Sequence, residues 1–122
     1  MSENNNGYLF FGISDYDNCG DYFNIIKKLK LPITNPKDDY DYGIFLINKS
    51  LPKGLKCGYH NRYDRPMPMI YILKTYLDTY ETYPKRFKEL PNVNLKLIKM
   101  LEVYAQKLGW KNPSWMIASC ID

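Results

Sequence analysis

The stretch KCGYHNRYDRP, residues 56–66, holds the only histidine of the chain and two of its three arginines. Lysine is the default base elsewhere, with 14 copies, so Arg62 and Arg65 depart from the chain's habit. A guanidinium is a rigid fork that grips a carboxylate or phosphate through two parallel hydrogen bonds, which an ammonium cannot do. His60 titrates near neutral pH, and Tyr59 and Tyr63 add flat amphipathic surface of the kind that anchors interfaces. Tyr59, His60, Arg62, Tyr63 and Arg65 are therefore read as a partner-binding set on a long loop. The competing reading is internal: the arginines bind the acidic run Asp38, Asp39 and Asp41, and Asp64 caps the next helix. Cys57 and His60 are the types for a nucleophile and its base. A third orienting group and an oxyanion site would be needed as well, and no motif supplies them.

Metal chemistry has one weak anchor. Asp15 and Asp17 directly follow an expected strand, where paired carboxylates could hold Mg²⁺. The calcium-loop pattern begins well in DYDNCG but fails at its fifth position, Cys19, and at its twelfth, Ile26. Helix capping and turn chemistry account for these aspartates better. One histidine and three scattered cysteines give no zinc spacing. Neither a phosphate-binding glycine loop with its lysine nor a G-x-S-x-G elbow is present. No cofactor is expected, and a small metal- or Cys/His-dependent hydrolase is the weakest of three functional classes.

Charge supplies the second class. Residues 1–50 carry seven acids and five bases, a net −2, whereas residues 51–122 carry six acids and twelve bases, a net +6. The basic turn PKRFK, with Lys85, Arg86 and Lys88, is the candidate nucleic-acid contact of this rear half. Tyr76, Tyr80 and Tyr83 could stack bases, but the first two share a stripe with Leu73 and Leu77 and read as core. The first class remains a non-enzymatic interaction or regulatory protein that binds a protein partner, or a second copy of itself, through the 56–65 loop.

Composition sets the frame for all three. A chain of 122 residues with 45% hydrophobic and 25% charged residues is one globular domain, residues 8–122, behind a polar tail, residues 1–7. Lys, Asn, Ile, Tyr and Phe are over-represented in the way an A/T-rich genome, cellular or viral, would produce. Three cysteines without C-x-x-C spacing fit a reducing, cytoplasmic setting. The absence of a signal-like apolar stretch and of any run long enough to span a bilayer excludes membrane anchoring from the expectation.

These residues need elements to hold them. YLFFGI, residues 8–13, reads as a buried strand. A helix capped by Asn18 follows, with Tyr22, Ile25, Ile26 and Leu29 on one face and Pro32 as its stop. YGIFLIN, residues 42–48, reads as a second buried strand, which gives a βαβ-like start of a length that allows parallel pairing. Residues 49–66 form the long connection, with a short strand or hairpin near Leu55–Tyr59. Pro68 opens a helix running to about Thr82, and Pro91 and Asn92 open another that Lys107 and Gly109 close. The tail, with both tryptophans, docks on the body. The fold class is α+β: a small sheet from the N-terminal half backed by about three helices.

Overall fold

The computed structural model describes residues 7–14, 22–31, 40–62, 65–78 and 90–119. In chain order they form β1 (Gly7–Ser14), α1 (Tyr22–Lys28), α2 (Tyr40–Ser50), β2 (Leu55–Arg62), β3 (Arg65–Ile72), one 3-10 turn (Leu73–Thr75), β4 (Leu77–Asp78), α3 (Leu95–Leu108) and β5 (Ser114–Ser119). The class is α+β, and the described residues form a five-stranded sheet with three helices. Every strand pair among the described residues is antiparallel, and strands from both halves of the chain contribute. The expected parallel βαβ start is not formed.

β1 is the central strand. β5 runs along one side of it from Gly7 to Gly12; on the other side β3 covers Gly12–Ser14 and β4 covers Tyr8 and Leu9. β3 and β4 are thus two halves of one strand with the 3-10 turn looped out between them. Thr75, fully buried in that turn, replaces the interrupted ladder: its Oγ1 accepts the Phe11 N–H at 2.9 Å and donates to the Ile72 carbonyl at 2.6 Å. β2 extends the sheet through β3, and the sheet curls enough for β2 to approach β5 without pairing with it.

Two segments take the opposite conformation from the one their composition suggests. Residues 42–48 are helical. An unbroken apolar run fits either state, and periodicity alone cannot separate them. Burial here recurs in steps of four, at Gly43 and Ile47 with Leu51 half-buried, while Phe45 is 55% exposed. That is one stripe of a helix, lying against α1 and β2. Residues 65–72 are extended rather than helical. Each residue before a proline is pushed toward the β region, so Pro66 and Pro68 bias Arg65 and Met67 away from helix. Both prolines also suit a strand here. The backbone N–H and C=O of Cys57 are taken by Asn48, so Cys57 does not bond its register partner Ile70. By alternation, Tyr59 opposite Pro68 and Asn61 opposite Pro66 do not bond either, and the missing proline N–H groups leave no gap toward β2. Residues 79–82 of the expected helix lie outside the described residues.

The helices cover one face of the sheet. Ile13, Leu55, Cys57, Ile70 and Ile72 pack there with Ile25, Ile26, Ile47, Leu101, Ala105 and Leu108. Tyr8, Phe10, Met69 and Tyr71 form a second cluster, joined by Tyr76, Met116 and Ala118. Tyr76 stacks between Tyr8 and Tyr71, its centroid 5.1 Å from each. Gly12 allows the sheet to fold sharply, since a Cβ there would sit 2.3 Å from the Ile70 carbonyl oxygen and 2.7 Å from Tyr71 Cα. α3 is not opened by Pro91 and Asn92 but capped by Asn94, whose Oδ1 accepts from the Lys96 and Leu97 N–H groups at 2.8 and 3.4 Å. It ends at Gly109 as the sequence implies, and Lys28 Nζ donates to the Leu108 carbonyl at 2.9 Å, tying α1 to the negative end of α3. The tail does dock: β5 lies along β1, and Trp115 meets Phe11 edge-on at 5.7 Å.

Candidate functional site

The stretch 56–66 is no long loop. It is most of β2 and the start of β3, whose register runs from Leu55 opposite Ile72 to Arg62 opposite Arg65. Two residues separate the arginines, and these, Tyr63 and Asp64, lie outside the described residues.

Strand alternation sorts the remaining members. Successive residues point to opposite faces, so positions 56, 58, 60 and 62 share a face with 65, 67, 69 and 71. Gly58 marks that face, because a Cβ on it would meet Tyr71 Cε1 at 3.4 Å and Met69 Cε at 3.5 Å. Lys56 on the same face is exposed. Positions 60, 62 and 65 belong to the same alternating backbone set as the exposed Lys56. Tyr59 falls on the other face, half-buried against the helix-side core, and does not join them.

Cys57 belongs to the core. It is fully buried as a free thiol, its Sγ 3.8 Å from the Gly58 carbonyl oxygen, and burial pushes its pKa up to about 12. A thiol kept protonated is no nucleophile at neutral pH. Positions 57 and 60 also fall on opposite faces of the strand, so the arrangement does not serve a Cys57–His60 pair. Asn48, which composition gives no reason to single out, does more for this strand. From α2, its Nδ2 donates to the Cys57 carbonyl at 3.0 Å and its Oδ1 accepts the Cys57 N–H at 2.7 Å. One amide thereby satisfies both outward backbone groups in the middle of an outer strand, as a neighbouring strand would.

The other candidates cannot be placed. Asp15, Asp17 and Asn18, the acidic Asp38 and Asp39, and Lys85, Arg86 and Lys88 all lie outside the described residues. Asp41 is the second residue of α2 rather than part of a linker. Among the described residues, no three His, Cys, Asp or Glu side chains gather as a metal site requires. No helix there is long and apolar enough to cross a membrane.

The Arg62–Arg65 register is the feature that folding does not explain. Like charges at facing positions of an antiparallel pair disfavour the pairing. A local arrangement that opposes its own element is expected where function requires it. A one-residue slip would break this coincidence, and a signal for it stands in the sequence: the symmetric run R-Y-D-R, two residues between two arginines, has the spacing of a tight hairpin. Comparison with protein-family models, with curated proteins and with solved structures finds no match for this chain.

Proposed function

We propose that this chain is a non-enzymatic binding protein that presents His60, Arg62 and Arg65, on one face of the β2–β3 hairpin, to an acidic surface of a protein partner. The observation that carries the reading is the register of Arg62 opposite Arg65. Guanidinium groups bind carboxylates through paired hydrogen bonds, and the register sets two arginine positions opposite each other in the same alternating set as the exposed Lys56. An odd number of cysteines, with Cys57 a buried free thiol, supports placing the protein in a reducing, cytoplasmic compartment.

The test is capture of partners from the native setting by the wild type and by the Arg62→Ala, Arg65→Ala double variant, with a melting curve for each. Losing one side of a desolvated charge pair costs about 2–5 kcal/mol, a weakening of at least about thirtyfold. The double variant is expected to lose the partner and to melt no lower than the wild type, since it removes a like-charge pair. Retention of the same partner at the same affinity by the double variant rejects the reading.

A further inference from the structure

The two outer strands of the sheet are treated differently. β2 is blocked: Asn48 from α2 occupies both outward backbone groups of Cys57. Among the described residues β5 pairs with β1 alone, and β2 comes near it without pairing. Proteins usually protect an outer strand with lysine, proline, a bulge or a covering side chain, because its unpaired N–H and C=O groups are a template for another strand. SWMIAS has neither charge nor proline. Its central residue, Ile117, is 77% exposed, the most exposed large apolar residue described.

The geometry of that edge is specific. Phe11 directs its N–H away from β5, to Thr75 Oγ1, so Phe11 and its register partner Trp115 do not bond each other. By alternation the same holds for Leu9 and Ile117, and the backbone groups of Trp115 and Ile117 point outward. On the same face as Ile117 a row of apolar residues crosses three strands, Leu77 of β4, Leu9 of β1 and Ile117 of β5, all in register.

We propose that β5 is a self-association edge, pairing antiparallel with β5 of a second copy about a two-fold axis centred on Ile117. This register is self-complementary. Ile117 exchanges both backbone hydrogen bonds with Ile117 of the second copy, and Trp115 faces Ser119 in the same bonding class. A two-fold axis perpendicular to the sheet keeps equivalent faces on one side. The row Leu77–Leu9–Ile117 then continues directly into its mate, and no charged residue of β5 meets another. A foreign strand would satisfy the backbone equally but would not match this row. A six-residue edge with one apolar row is at the small end of specific interfaces, below about 1,200 Å², so association on the order of tens of micromolar is expected.

Light scattering on the eluting protein from 5 µM upward (about tenfold below to tenfold above that expected scale) tests this, with Ile117→Lys beside the wild type. The wild type is expected to rise from its monomer mass of 14.5 kDa toward twice that value with concentration. Ile117→Lys is expected to remain at the monomer mass and to melt like the wild type, because the side chain is exposed and only the edge gains a charge. A wild type that stays monomeric throughout overturns the proposal. So does an Ile117→Lys variant that associates as strongly as the wild type. Arg62→Ala with Arg65→Ala should leave the association unchanged, which separates this edge from the hairpin.

Discussion

Lys30 and Gly109 occupy the same position at the ends of two helices. After α1, Leu31 N–H bonds the Ile26 carbonyl and Lys30 N–H the Lys27 carbonyl; after α3, Trp110 N–H bonds the Ala105 carbonyl and Gly109 N–H the Gln106 carbonyl. Both ends are the same left-handed stop, with φ of 55° at Lys30 and 74° at Gly109. Leu31 and Trp110, the residues just beyond, both pack on the helix-side core. Only the second stop uses the residue that adopts this conformation without steric cost.

That difference gives a stabilising substitution. Lys30→Gly is expected to raise stability by about 0.5–1 kcal/mol, the left-handed strain relieved less the added freedom of glycine in the unfolded chain. Lys30 is exposed, so little packing is lost. Urea titration at neutral pH checks it, and a lower midpoint for the variant would contradict the argument.

Thr75 supplies a second. Thr75→Val keeps the shape of the side chain but leaves the part-buried Phe11 N–H without its acceptor, a loss of about 1–3 kcal/mol. Thr75→Ser keeps the hydroxyl and should recover most of that. Hydrogen exchange at the Phe11 amide should quicken in the valine variant relative to its immediate neighbours.

Gly12→Ala should be among the most damaging single-methyl additions. The new Cβ meets the Ile70 carbonyl oxygen and Tyr71 Cα, both backbone, which no rotamer change can clear. Overpacking of this kind costs about 1–3 kcal/mol, and more where the backbone must part. Thermal melting should show the loss, and Gly58→Ala, which meets only side-chain ends at 3.4 Å and beyond, should be the milder partner.

The pH prediction concerns Cys57, whose thiol burial raises from 9.0 to about 12. The unfolded chain releases this proton near pH 9, and the folded chain holds it. The contribution to stability is complete below pH 9 and is lost as pH rises through 12. The stability difference between the wild type and Cys57→Ala should therefore narrow between pH 9 and 12, read from urea midpoints at each pH. A constant difference across that window would show that burial does not hold the proton.

How much of this fold is legible in the sequence depends on how local each signal is. The α+β class, β1, α1 and the stop at Gly109 rest on neighbours in sequence: an aromatic run bounded by glycine, a 3–4 periodicity, a glycine past a lysine. The two misread segments fail for one reason. YGIFLIN and PMIYILKTYL are apolar enough to satisfy either period, and only what packs against them selects one. For residues 42–48, α1 and β2 on one side make a helical stripe the better burial. For residues 65–72, β2 and β1 offer ladders on both edges, and the missing N–H groups of the prolines leave no gap toward β2.

The candidate site divides in the same way. Residue types were decided by sequence alone: an arginine pair and a histidine in a lysine-rich chain, a thiol nearby, a tail with both tryptophans. Which of them act together was decided by the sheet. Period-2 alternation separates Tyr59 and Cys57 from His60, and a hairpin register 10 residues long in sequence from 56 to 65 sets Arg62 opposite Arg65. Asn48 guards β2 across nine residues of chain, and Thr75 completes β1 across 64. Such bonds join groups whose separation in sequence carries no period, so no pattern announces them. They exist only once burial has brought the backbone groups together and left each in need of a partner.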